Sequence, residues 1–270
     1  MTRTEKIIKY SKPAVWVLII SLLLYITIDL TRQRLPAETE VLGIIRDQSP
    51  VQTPVNLSSF DITESGFRYN VTPLFQYEVY GVVVSTYDSK SIFNFIIGRD
   101  SGNSKDLCLV WGKNIIHSIY AGLKYIQDDK NCVSNSAELT QNNNEVFDSG
   151  AFSDNRLIPN DTLTRSVISS MGAGDQVHLS GYLVDYSLYD TTSGKLLDNR
   201  KTSTANFEFN NISMKNIVVT KAEILRPWNR MGDYTENFLM SVIVLSAIAF
   251  LLRLVLPVTT GAKHGGASVG

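Results

Sequence analysis

Reactive side chains are scarce in this 270-residue chain, which holds two cysteines (Cys108, Cys132) and three histidines (His117, His178, His264). Two cysteines cannot by themselves build a structural zinc site, and they do not staple a disulfide-dense miniprotein. No His-Glu-x-x-His, Cys-x-x-Cys or Walker phosphate loop occurs, so zinc-protease, thioredoxin-like and P-loop readings lack support. Charge of one sign is also missing. Lys plus Arg number 25 against 26 Asp plus Glu, which argues against a strongly basic nucleic-acid binder and against a charged disordered tail. What remains is 44% hydrophobic, ample for a packed domain.

Long apolar runs are few, and both lie near the ends. The first is Ala14 to Ile28, between Lys12 and Asp29. A bilayer core of about 30 Å needs about 20 residues, and Tyr10 to Leu30 reaches that length if the Lys12 ammonium snorkels back. A cleaved signal peptide is the rival reading, but Tyr25-Ile26-Thr27-Ile28 offers no small-x-small cleavage site. The second run is Phe238 to Val258, broken only by Arg253, whose stem can carry its charge to an interface. The expectation is therefore two transmembrane helices, 13–30 and 238–258. Residues 1–12 carry +3, whereas 31–237 hold 19 Lys/Arg against 24 Asp/Glu. The positive-inside rule then places both termini (1–12 and the tail 259–270) in the cytoplasm and residues 31–237 in the periplasm, at a bacterial inner membrane. Residues 229–237 become a short juxtamembrane segment.

Residues 31–70 are polar, with Pro36, Pro50 and Pro54 and no clean period, and read as a linker or stalk. Beyond them, a domain over 71–228 is mainly β. Phe75 to Tyr87 is a long β-rich run containing Gly81, a residue type that often marks a bulge in such a setting. Ser91 to Gly98 reads as a second strand and Leu107 to Gly112 as a third, apolar on both faces. Ile115 to Ile126 fits either a short helix or a strand. Asn160 or Asp161 then caps a helix through Ser170, closed by Gly172-Ala-Gly. Asp175 to Tyr189 is a strongly alternating strand: Val177, Leu179, Gly181 and Leu183 oppose Gln176, His178, Ser180 and Tyr182. Phe207-Glu-Phe and Ile217 to Leu225 complete the sheet, and Pro227 stops it. Cys108 and Cys132 are either a disulfide in an oxidising compartment or two separate buried thiols.

Several of these segments carry a resemblance. Tyr80-Gly-Val-Val, the Arg99-Asp-Ser-Gly turn and Leu107-Cys-Leu-Val-Trp resemble the first three strands of an OB-fold barrel. Gly174-Asp-Gln-Val-His-Leu-Ser-Gly-Tyr-Leu resembles its fourth strand, and Val218 to Leu225 the closing one. The Asp106 to Gly112 and Gly174 to Leu183 segments are also similar to a set of uncharacterised bacterial extracytoplasmic membrane-anchored proteins. The resemblance spans 75–226 and implies an OB-like barrel with one short helix, flanked by the two membrane helices. It implies no chemistry.

Catalysis finds little footing. His178 falls on the polar face of its strand and reads as solvated, and His117 sits in an apolar stretch as a packing residue. Asp128, Asp129 and Asp154 lack the alternating ligand spacing of a calcium loop and read as solvated loop carboxylates. OB barrels often bind through stacking aromatics, and Tyr80, Tyr87, Phe93, Phe95 and Trp111 are the candidate binding face. The acidic balance of 31–237 and its expected side of the membrane exclude nucleic acid. The expected function is non-catalytic: a membrane-anchored periplasmic binding or scaffolding protein, an accessory subunit held against the bilayer and an integral membrane protein partner, with no cofactor. An envelope enzyme, or a lumenal domain in a eukaryotic organelle, is the alternative.

Overall fold

A computed structural model describes residues 15–27, 35–64, 66–88, 105–127, 131–134, 147–204, 214–228 and 230–255. Its contacts separate a unit Arg34–Trp228 from a second unit formed by the two ends of the chain. The sequence strand Ser91 to Gly98, Phe93 and Phe95 within it, the Arg99 turn, Asp128, Asp129, Phe207-Glu-Phe and His264 all lie outside the described residues.

Ten strands are described in the Arg34–Trp228 unit: β1 (Val51–Pro54), β2 (Phe60–Glu64), β3 (Phe67–Asp88), β4 (Lys105–Val110), β5 (Tyr125–Gln127), β6 (Cys132–Ser134), β7 (Phe152–Pro159), β8 (Gln176–Asp190), β9 (Leu196–Arg200) and β10 (Lys215–Arg226). β3 pairs antiparallel with β4, β4 with β7, β10 with β8, and β8 with β3, while β7 and β10 run parallel. That circuit, β3-β4-β7-β10-β8 and back to β3, closes a five-stranded barrel with a helix between its third and fourth strands, the OB-like arrangement. The register differs from the sequence reading in one respect. Leu107 to Val110 belongs to the second barrel strand, with Trp111 just past its end, and the third is β7.

Local chemistry accounts for each element. β3 is 22 residues long, rich in β-branched and aromatic side chains, and it bends through two register shifts, at Pro73/Phe75 and Val83/Ser85. Its first half extends beyond the barrel, pairing with β2 on one side and β8 on the other. The interior holds Val79, Val83, Leu109, Leu157, Leu179, Leu183 and Ile217, all fully buried. A second cluster, Tyr69, Val71, Ile158, Tyr186, Leu188 and Val218, underlies the β3–β8 extension. At Gly181 a Cβ would run into the Val218 carbonyl oxygen, so only glycine lets β8 lie this close to β10.

Residues 35–64, within the segment read as a linker, are folded onto this unit. Leu35, Val41 and Ile45 are buried in the main core, and Gln176 fixes the segment twice, accepting the Leu42 N–H and donating to the Glu40 carbonyl, each at 2.8 Å. α1 is the helix 15–27, α2 is Gly43–Asp47, α3 is Thr162–Ser170 and α4 is Arg230–Val255. α3 is capped by Asp161, whose carboxylate accepts the Thr164 N–H at 2.8 Å.

The expected transmembrane helices are corrected here. Among the described residues, no helix is long and apolar enough to cross a membrane. The described part of α1 has 13 residues, a rise of about 20 Å against the roughly 30 Å of a bilayer core. In α4, Glu236 and Arg253 confine the uncharged stretch to 237–252, a rise of about 24 Å. The inner-membrane localisation, the periplasmic placement of 31–237, and the bilayer and integral membrane partners rested on those spans and fall with them.

Candidate functional site

In OB-like barrels the face of the second and third strands is the usual ligand platform. Here those strands are β4 and β7, and that face is covered by the chain itself. Cys108 and Asp154 stand directly opposite each other, as do Asp106 and Arg156, so all four side chains share one face. The small β5–β6 hairpin lies over it. Cys108 and Cys132 are joined in a disulfide, and Gln127 Nε2 donates to Asp154 Oδ1 at 3.4 Å. All eight residues of β7 are consequently buried.

Beneath this cover is a buried ion pair. Arg156 donates from Nε and Nη2 to the two Asp106 oxygens, at 3.1 and 2.9 Å, and from Nη1 to the Tyr186 hydroxyl at 3.2 Å. Burial works against the guanidinium charge, yet the Asp106 carboxylate more than offsets it and holds Arg156 above its ordinary range. Asp154 is raised as well, and here the charged form loses: burial first, then the nearby Asp106 charge, push its carboxyl well above the usual carboxylate range. The reading of Asp154 as a solvated loop carboxylate is corrected, since it sits fully buried inside a strand.

The exposed polar cluster lies elsewhere, on the outer face of β3, β8 and β10. His178 faces Tyr80 on β3 and Glu223 on β10 in register. Its Nε2 is 2.8 Å from Glu78 Oε1 and its Nδ1 is 3.1 Å from Glu223 Oε2. The Tyr80 ring stacks on the imidazole with centroids 4.3 Å apart and planes 4° from parallel, and its hydroxyl donates to Glu78 Oε1 at 3.2 Å. Lys221 Nζ closes the set, 3.0 Å from Glu223 Oε1. The His178 hydrogen bond, followed by that of Lys221, holds the Glu223 carboxyl below its ordinary value. Burial and then the Glu78 charge raise the Tyr80 hydroxyl. His178 is only 5% exposed, which corrects the solvated reading. The alternating pattern placed it on the polar face correctly, but no local signal told that two carboxylates from strands 100 and 45 positions away would close over it.

The aromatic candidates do not gather in one place. Tyr80 belongs to the His178 cluster. Tyr87 is opposite Asp106, about 23 Å further along β3 at the rise of a strand. Trp111 is in the main core, 3% exposed. Phe93 and Phe95 lie outside the described residues. Among the described residues, no group of three or more His, Cys, Asp or Glu could hold a metal ion.

No family model matches the chain, and no curated protein matches it. Among solved structures, the small single-stranded DNA-binding protein from Streptomyces coelicolor is similar at 10% identity and a TM-score of 0.24, over 57% of this chain and 94% of that one. The exclusion of nucleic acid rested on the acidic balance and on the expected side of a membrane; no described helix supports that placement and a DNA-binding protein stands among the similar structures, so the exclusion is withdrawn, while a likeness at that score carries no argument for such a ligand here.

Proposed function

We propose that the Arg34–Trp228 unit is a non-catalytic binding module, a scaffold that holds a protein partner on its barrel surface within a larger assembly. The observation that carries this reading is the occupancy of His178. Both ring nitrogens are engaged by the protein's own carboxylates, Glu78 and Glu223, so neither stands ready to accept a substrate proton. The same cluster sets one aromatic ring, Tyr80, among charged side chains on paired strands, an aromatic centre with a polar rim as recognition surfaces have. The covering of the β4–β7 face by the β5–β6 hairpin directs recognition to the β3–β8–β10 side.

The test is affinity capture of the tagged full chain from its native source, quantified by mass spectrometry, alongside a Tyr80→Ala, Glu78→Gln double variant. The expected result is a stoichiometric protein partner retained by the parent chain and depleted at least about fivefold by the variant, a difference of about 1 kcal/mol. Turnover of a substrate dependent on His178, or saturable binding of a single-stranded oligonucleotide in place of a protein, would overturn the reading.

A further inference from the structure

The second half of β10 is paired on one side. From Ile217 to Val219 the strand runs between β7 and β8, whereas between Lys221 and Arg226 its partner among the described residues is β8 alone. The reason lies in β7. That strand ends at Pro159, Asn160 donates one last N–H to the Val219 carbonyl at 3.1 Å, and Asp161 starts α3. The chain that would have extended the parallel pair turns into a helix. Successive residues of a strand direct their N–H and C=O to opposite sides, so this half of β10 turns backbone hydrogen-bonding groups away from β8. A groove of about 580 Å³ runs between that edge and α3, with Val167 and Ser170 on one wall and Ala222, Glu223, Ile224 and Leu225 on the other.

We propose that this edge accepts one extended peptide segment of the partner protein as an added strand, with apolar side chains entering the groove and a basic side chain opposite Glu223. The inference rests on the binding-module reading and names the chemistry of its partner. Strand edges are met by strands, through main-chain hydrogen bonds with alternate side chains in pockets. Val167, Ala222 and Ile224 make the groove apolar where those alternate side chains would enter. Charge selects the rest. Glu78 and Glu223 are half-exposed carboxylates on this face, in a unit with 17 Lys/Arg against 22 Asp/Glu; Glu223 already pairs with His178 and with the exposed Lys221, so a basic side chain of the added strand would compete with the Lys221 ammonium for it. A residue directly opposite Glu223 would stand about 5 Å from it, within reach of a cross-strand ion pair.

The experiment titrates the ¹⁵N-labelled full chain with three synthetic hexapeptides: an alternating lysine–valine peptide, its glutamate–valine counterpart, and the lysine peptide with proline at two alternate positions. The lysine–valine peptide is expected to shift amide signals of Lys221 to Arg226 and of Val167 to Ser170. The other two should bind about tenfold more weakly or worse, since one loses the charge match and the other its main-chain donors. Glu223→Lys should reverse the preference between the charged peptides. Shifts confined to β1 or β9, equal binding of the proline peptide, or no peptide binding overturn strand addition. A captured stoichiometric partner alongside such a failure leaves the binding-module reading standing. Peptide shifts on β10 with no captured partner count against that reading alone.

Discussion

Two buried charges show how residue-scale electrostatics shape this fold. Arg156 and Asp106 satisfy each other with bidentate geometry inside a covered face. Arg156→Ala would take the guanidinium from the buried Asp106 carboxylate, and losing one partner of a buried pair costs about 3–5 kcal/mol. A fall of that size in the unfolding free energy from urea denaturation is the expected outcome. Asp154 provides a pH signature. Its folded-state carboxyl is raised by burial and by Asp106, so the folded state holds this proton more tightly than the unfolded chain does. The associated stability is fully present below the unfolded value near pH 4 and is lost as pH rises through the folded value. Urea midpoints measured from pH 4 to pH 8 should therefore decline more in the parent chain than in Asp154→Asn. Parallel profiles would mean that Asp154 titrates alike in both states.

At the scale of elements, the disulfide pins a three-residue strand over the barrel's second and third strands. It closes a loop with a sequence separation of 24, worth about 3 kcal/mol in the chain-entropy model. Reduction with a strong dithiol, or the Cys108→Ala, Cys132→Ala double substitution, should lower stability by that amount and accelerate amide exchange in β7. Elements with a periodic signal were legible in the sequence. β8 follows its alternation from Gln176 to Leu183 and resumes it in the opposite phase from Val184, β4 follows its apolar run, and α3 its Asp161 cap. β7 was not legible, because Phe152-Ser-Asp-Asn-Arg-Leu-Ile-Pro159 alternates in neither period. Its charged residues are buried against partners distant in the chain, Asp154 against Gln127 and Arg156 against Asp106 and Tyr186, while Ser153 and Asn155 bond each other. Residues 35–64 were read as a linker for a related reason, since prolines and polar residues mask β1, β2 and the buried Val41 and Ile45. The candidate site divides the same way. Tyr80 and His178 each sat on an identified strand, but their stacking depends on the β3–β8 register, which no local pattern encodes.

For the whole molecule, closure of the barrel is the deciding event, and Gly181 sits where it happens. That residue is opposite Tyr77 on β3 and Val219 on β10, and its missing side chain admits the Val218 carbonyl. Gly181→Ala should force β8 and β10 apart at a cost of about 1–3 kcal/mol, seen as a lower melting temperature and faster amide exchange on both strands. The long β3–β8 seam also has a consequence in time. Its paired residues are 94 to 123 positions apart in the chain. A ribosome adding about 5–20 residues per second needs roughly 5–20 s after finishing β3 at Asp88 to finish β8 at Asp190. Throughout that interval the nascent chain displays a 22-residue strand whose main partner has yet to be made, so newborn copies depend on whatever shields them before β8 arrives.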